Sequence, residues 1–190
     1  MPLTRIEDNS ALIVVDLQRA VAAAPAAPPV IDRARRLAAA FRIRKLPVVL
    51  VNVTGGAPGR TDARQASGSR SPRPSGWADI VPELGPEPDD ILITKQTWGA
   101  FHRTALDERL QERGVTQVVL AGIATSIGVE STARAAHEHG YHVVLATDAM
   151  TDVDPQAHDN TIARIFPRLG ETATTAEILD LLAAAPARVR

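Results

Sequence analysis

The chain has 190 residues, 45% of them hydrophobic, and a formal net charge of −1. That is apolar material for one substantial core, and nothing in the layout asks for another, so 1–190 reads as a single domain. The near-neutral charge gives no general attraction for nucleic acid or an anionic membrane. The lack of cysteine removes thiolate nucleophiles, disulfides and cysteine-ligated metals. The N-terminus shows neither a basic segment leading into an apolar signal core nor a membrane-spanning apolar stretch, so the expectation is a cytoplasmic protein with a small-molecule partner.

Apolar strand-like runs fall at 11–15, 47–53, 91–94, 117–121 and 142–146, separated by long connections with helical patterns. This order predicts an α/β domain with a mainly parallel sheet. Residues 20–29, rich in Ala and Pro, read as a short linker. A first helix is expected over 30–45, where Val30, Ala34, Leu37 and Phe41 recur on one face. Residues 55–76 carry Gly55, Gly56, Pro58, Gly59, Gly68, Pro72, Pro74 and Gly76 with few apolar side chains, so they read as a long loop or lid. Its Arg60, Arg64, Arg70 and Arg73 fit either an anionic ligand or a solvated loop. Further helices are expected at 103–113, ended by Gly114, and from the Asp154-Pro155 cap to about Leu169. A last one starts after Thr174, which has capping-box spacing to Glu177.

In open parallel sheets, ligands sit beyond the carboxyl ends of the strands. Three positions there carry the candidate chemistry. Asp16 follows Ala11-Leu12-Ile13-Val14-Val15, and Lys95 follows Ile91-Leu92-Ile93-Thr94. Gly128 lies where Val118-Val119-Leu120-Ala121-Gly122 turns through Ile123-Ala124-Thr125-Ser126-Ile127 into a helix, a geometry that gathers backbone N–H donors. Burial would raise the pKa of Asp16 and a neighbouring ammonium would lower it. Lys95 reads as the group that binds a substrate carboxylate, with Asp16 as the proton carrier. Gly128 also fits a close helix–sheet approach. Trp98 and Phe101 read either as loop anchors or as an apolar wall for a ring. Thr125 and Ser126 read as caps, because the sequence pairs neither with a histidine. His137 and His139 diverge on a predicted helix, His142 lies on a strand and His158 on a later helix, so no metal set emerges. No phosphate-binding glycine motif of the Walker type occurs either.

Asp16-Leu17-Gln18, the run Lys95 to Phe101, the run Gly122 to Ala133, and Thr147-Asp148-Ala149 together resemble the isochorismatase-like hydrolase superfamily over roughly residues 8–182. The resemblance implies a three-layer α/β/α sandwich, a homodimer or larger homo-oligomer, and a cis peptide at Ile123-Ala124. Amidase-like members use an Asp, a Lys and a Cys. Asp16 and Lys95 match, and Gly128 stands in the cysteine position, as it does in true isochorismatases. The turn at Asn52-Val53-Thr54 lacks the Asp-x-His of metal-containing members, so no metal and no cofactor are expected. Thr54 departs from the glutamine that isochorismatases usually place nearby.

What the resemblance implies is hydrolysis of an enol ether in isochorismate or a related small carboxylated compound, with release of pyruvate. Asp16 and Lys95 would be catalytic. Thr54, Trp98, Phe101, Ile123, Ala124, Thr125 and Gly128 would bind or position substrate. Hydrolysis of another substrate such as an amide, and an inactive small-molecule-binding homologue, stay open.

Overall fold

In the computed structural model, which describes residues 3–62 and 73–184, the chain runs β1 (Ser10–Val15), α1 (Ala27–Ile43), β2 (Val48–Val53), β3 (Ile91–Lys95), α2 (Leu106–Gln111) and β4 (Gln117–Ile123). It continues through α3 (Glu130–Glu138), β5 (His142–Thr151), α4 (Pro155–Asn160), β6 (Glu171–Ala173) and α5 (Thr175–Ala184). Every residue of β1 and of β4 is buried. Strands with no polar face must be covered on both sides, and the helices do this. α1 and α5 lie on the face formed by Leu12, Val14, Val48 and Leu50. α2 and α3 cover the face formed by Ala11, Ile13, Val15, Val49 and Val51. The result is a three-layer α/β/α sandwich.

The strands pair in the order β3-β2-β1-β4-β5-β6, and every pair is parallel. The chain moves outward from β1 to β3, returns to place β4 against β1, and then moves outward the other way. The connections leaving β1 and β4 therefore diverge, which opens a crevice at the carboxyl ends of these two strands.

Several elements differ from the expectations. α1 begins at Ala27, inside the segment read as linker, because Pro28 and Pro29 sit in its first turn, where proline loses no helical hydrogen bond. β5 runs on to Thr151, with a register shift against β4 between Leu120 and Gly122. β6 has only three residues, too few for an alternation signal. The helix expected to reach Leu169 is one α-helical stretch, Pro155–Asn160, followed by a wide π-type turn at Thr161–Ile165 and a 3₁₀ turn at Phe166–Arg168. Asp154 caps it through the Gln156 N–H. The capping box before α5 is present in full: Glu177 accepts from the Thr174 N–H and hydroxyl, and Thr174 accepts from the Glu177 N–H. In the long excursion, Arg64 and Arg70 lie outside the described residues. Arg73 lies over the Trp77 ring at 3.7 Å, and Arg60 is exposed. Among the described residues no helix is long and apolar enough to cross a membrane.

Gly122 fixes how closely β4 approaches β1. Its φ of 128° is open only to glycine, and a Cβ there would run into the Val15 backbone. Gly122→Ala should therefore cost at least ~3 kcal/mol, as a strained φ and an overpacked strand contact combine. Chemical denaturation monitored by circular dichroism checks this. A variant as stable as the parent would mean that the strands separate without penalty.

Candidate active site

Asp16 is the first residue beyond β1, and its φ of 54° turns the backbone sharply out of the strand. The departure is held by neighbours. The Asp16 N–H donates to the Val51 carbonyl at 2.9 Å. Two residues on, the buried Gln18 amide donates to the Val53 carbonyl at 3.0 Å and accepts from the Val53 N–H at 2.7 Å. A side chain thus takes the place of the strand that has ended.

Lys95 closes β3, two strands away. Its Nζ donates to Asp16 Oδ2 at 2.6 Å, to the Trp98 carbonyl at 2.6 Å and to the Thr97 carbonyl at 3.2 Å. Only 1% of the lysine side chain is exposed, so it is no surface residue. An ammonium has three N–H groups, and all three are used within the protein. This geometry ties Lys95 to Asp16 and its own loop before any incoming anion.

Burial pushes the Asp16 carboxyl up from 3.8 to about 6, against the charge and hydrogen bond of Lys95, which lower it. The two carboxyl oxygens are unequal. Oδ2 receives the Lys95 hydrogen bond, whereas Oδ1 is buried without a protein partner. A proton on Oδ2 would oppose the lysine N–H, so the neutral acid carries it on Oδ1.

Gly128 sits in the π-type turn Thr125–Val129, against this pair. A Cβ built on it would lie 3.2 Å from Asp16 Oδ2 and from Val15 Cγ1, and 3.6 Å from Lys95 Nζ. The turn follows a cis Ile123-Ala124 peptide. Asp16, Lys95 and Gly128 thus meet at the crevice between β1 and β4.

The other residues named from sequence are dispersed around this centre. Thr54, at the end of β2, is exposed; its N–H donates to the Lys95 carbonyl at 3.0 Å and its hydroxyl accepts from the Gln96 amide at 2.8 Å. Trp98 is 54% exposed, while its carbonyl holds Lys95. Phe101 is buried and stacks on His139 with 5.1 Å between ring centroids, with Tyr141 at 6.0 Å, so its ring is engaged by the protein. Thr125 is also buried, and its hydroxyl lies 2.8 Å from His158 Nδ1, which corrects the reading that no histidine accompanies it. Ser126 bonds Asp152 Oδ2 through both its N–H and its hydroxyl.

Gln18, Asp152 and Thr132 received no individual role from the sequence, and His158 was weighed there only as a metal ligand. Thr132 lies one helical turn beyond Gly128, a spacing that puts both on one face. Its buried hydroxyl donates to the Gly128 carbonyl at 2.7 Å and accepts from the Ala100 N–H at 3.1 Å. Among the described residues, no three His, Asp or Glu side chains are grouped to hold a metal ion.

Residues 10–177 match the isochorismatase domain family. An uncharacterized isochorismatase family protein of Bacillus subtilis (strain 168), YwoC, is 40% identical over 177 residues, covering 90% of this chain and 93% of its own. The structure of an isochorismatase family protein from Burkholderia thailandensis superposes with a TM-score of 0.86 at 37% identity, covering 95% and 98% of the two chains. N-carbamoylsarcosine amidase from Thermoplasma acidophilum superposes with a TM-score of 0.75 at 28% identity, covering 90% and 98%.

Because Lys95 lowers the Asp16 pKa both by charge and by hydrogen bond, Lys95→Met should move the Asp16 titration upward from about 6 by ~1 unit or more. A ¹³C NMR titration of the aspartate carboxyl carbon measures it. A downward or absent shift would mean that the ammonium does not govern this carboxyl.

Proposed function

The chain belongs to the isochorismatase family of hydrolases, and from that premise we propose that it cleaves the enol ether of isochorismate or of a related small carboxylated compound, releasing pyruvate. The observation that carries this reading is the absence of a side chain at Gly128. Where a nucleophilic side chain would begin there is none, and a Cβ would already press on the Asp16 carboxyl at 3.2 Å, a carboxyl that burial raises to a pKa of about 6. A site so built handles a proton and admits water; it does not capture a carbonyl covalently.

In the proposed reaction, the protonated Asp16 carboxyl gives its proton to the terminal vinyl carbon. The resulting oxocarbenium ion takes water at its cationic carbon, and the water's spare proton returns to Asp16. The hemiketal then collapses to pyruvate and the parent alcohol. Lys95 stabilises the Asp16 carboxylate formed in the first step, and backbone N–H groups of the 123–128 turn receive the substrate's anionic groups. Amide hydrolysis, the chemistry named for the Thermoplasma relative, is the second reading. There Asp16 would act as a base on water.

The two readings differ in sign with pH. An acid works in its protonated form, so kcat/KM for pyruvate release should be flat below about 6 and fall ~10-fold per pH unit above it. A base would give the opposite limb, rising to a plateau above that value. Assays for pyruvate from isochorismate and for ammonia from carboxamides, run across pH, decide between them. Asp16→Asn should lose at least ~100-fold of pyruvate release while remaining folded; full turnover in this variant would reject the mechanism.

Gly128 supplies a separate check. Gly128→Cys should reduce pyruvate release by crowding Asp16 and should bring little carboxamide hydrolysis, and Gly128→Ala should give a milder loss. Undiminished turnover in both folded variants would show that substrate does not use this space.

A further inference from the structure

The Asp16 carboxyl is flanked by two segments that no strand pairing joins. One is the turn Thr125–Val129, which carries Gly128. The other is the loop after β3, whose Thr97 and Trp98 carbonyls hold the Lys95 ammonium. Thr132 touches both through a single buried atom, donating to the Gly128 carbonyl and accepting from the Ala100 N–H. A threonine within a helix often donates to the carbonyl four residues back, so the first bond alone is ordinary helix chemistry. The second is not, because it reaches 32 residues back in sequence to the loop that anchors Lys95. The backbones are close here as well: a Cβ on Gly99 would lie 3.5 Å from Ser131.

We propose that Thr132 is a positioning residue for this site: its hydroxyl fixes the separation between the Gly128 turn and the Lys95 loop, and with it the seat of the Lys95 ammonium against Asp16. The hydroxyl has one proton and accepts on its lone pairs, so it serves both segments at once. Valine has the same shape and offers neither bond. It leaves a buried N–H at Ala100 and a buried carbonyl at Gly128 without this partner, and the loop relaxes to recover others. That relaxation loosens the carbonyl seat of Lys95.

The proposal rests on the reading of Asp16 and Lys95 as the catalytic pair, and the test separates the two. Thr132→Val and Thr132→Ser are made in the full chain and compared with the parent by circular dichroism, by ¹³C titration of the Asp16 carboxyl and by pyruvate release from isochorismate. Thr132→Val should fold, shift the Asp16 titration upward by half a unit or more, and lower kcat about 10-fold with KM within about twofold. Thr132→Ser keeps the hydroxyl and should hold the Asp16 titration within ~0.2 unit of the parent and kcat within about threefold. If valine prevents folding, Thr132→Ala carries the same expectations. An unchanged titration in the folded variant overturns the proposal, as does a serine variant as impaired as valine, which would assign the effect to the lost methyl group. Failure of both valine and alanine to fold overturns it too, by making Thr132 a residue of the fold. A parent that releases no pyruvate refutes the enol-ether reading alone, because the titration needs no substrate.

Discussion

A lysine and an aspartate that meet almost out of water organise this molecule. Withdrawing two charges from solvent is costly, and their attraction repays the cost only when the remaining polar groups are also satisfied. The ammonium meets that condition with three acceptors. The carboxylate does not, because Oδ1 has no protein partner. Burial outweighs the adjacent positive charge in setting the Asp16 pKa. The surrounding chain accommodates the pair. β1 ends in a left-handed residue that aims the carboxyl, β3 ends on the lysine, and the turn after β4 here presents no side chain where the pair lies.

Much of this arrangement was legible in the sequence because it lies at the ends of apolar runs. Five of the six strands appear as such runs, and Asp16 and Lys95 are the polar residues that terminate two of them. Periodicity gave the buried face of α1 from Val30, Ala34, Leu37 and Phe41. What escaped was either too short or set by distant partners. β6 has three residues. Pro28 and Pro29 look like linker until one knows that a helix follows directly. Thr125 and His158 meet across 33 residues, and Thr132 meets Ala100 across 32; no local pattern encodes either. Phe101 shows the converse limit, since an aromatic residue near a site looks the same in sequence whether it faces a ligand or, as here, stacks on His139.

One structural relative is named as an amidase, but function resides in a site placed on a common fold, so the scaffold alone does not fix the chemistry. Under the proposed reading, the change of chemistry needs little rebuilding. Asp16, Lys95 and the 123–128 turn would serve either chemistry, and the side chain at position 128 would decide between them. The crevice between β1 and β4 is fixed by strand order, so the substrate's own shape and the loops around the rim are left to set specificity.

The excursion between β2 and β3 leaves and rejoins the sheet at neighbouring points. Asn52 donates to the Ala78 carbonyl at 2.9 Å, Gln18 bridges to Ile80, and the Val81 N–H donates to the Leu17 carbonyl at 3.0 Å. With both ends clasped beside Asp16, the length of chain between them is thermodynamically cheap to alter: doubling a flexible loop adds only ~0.6 kcal/mol of closure entropy. Related chains can therefore acquire long or short insertions at this point, and with them new surfaces over the crevice, while the carboxyl beneath keeps its orientation.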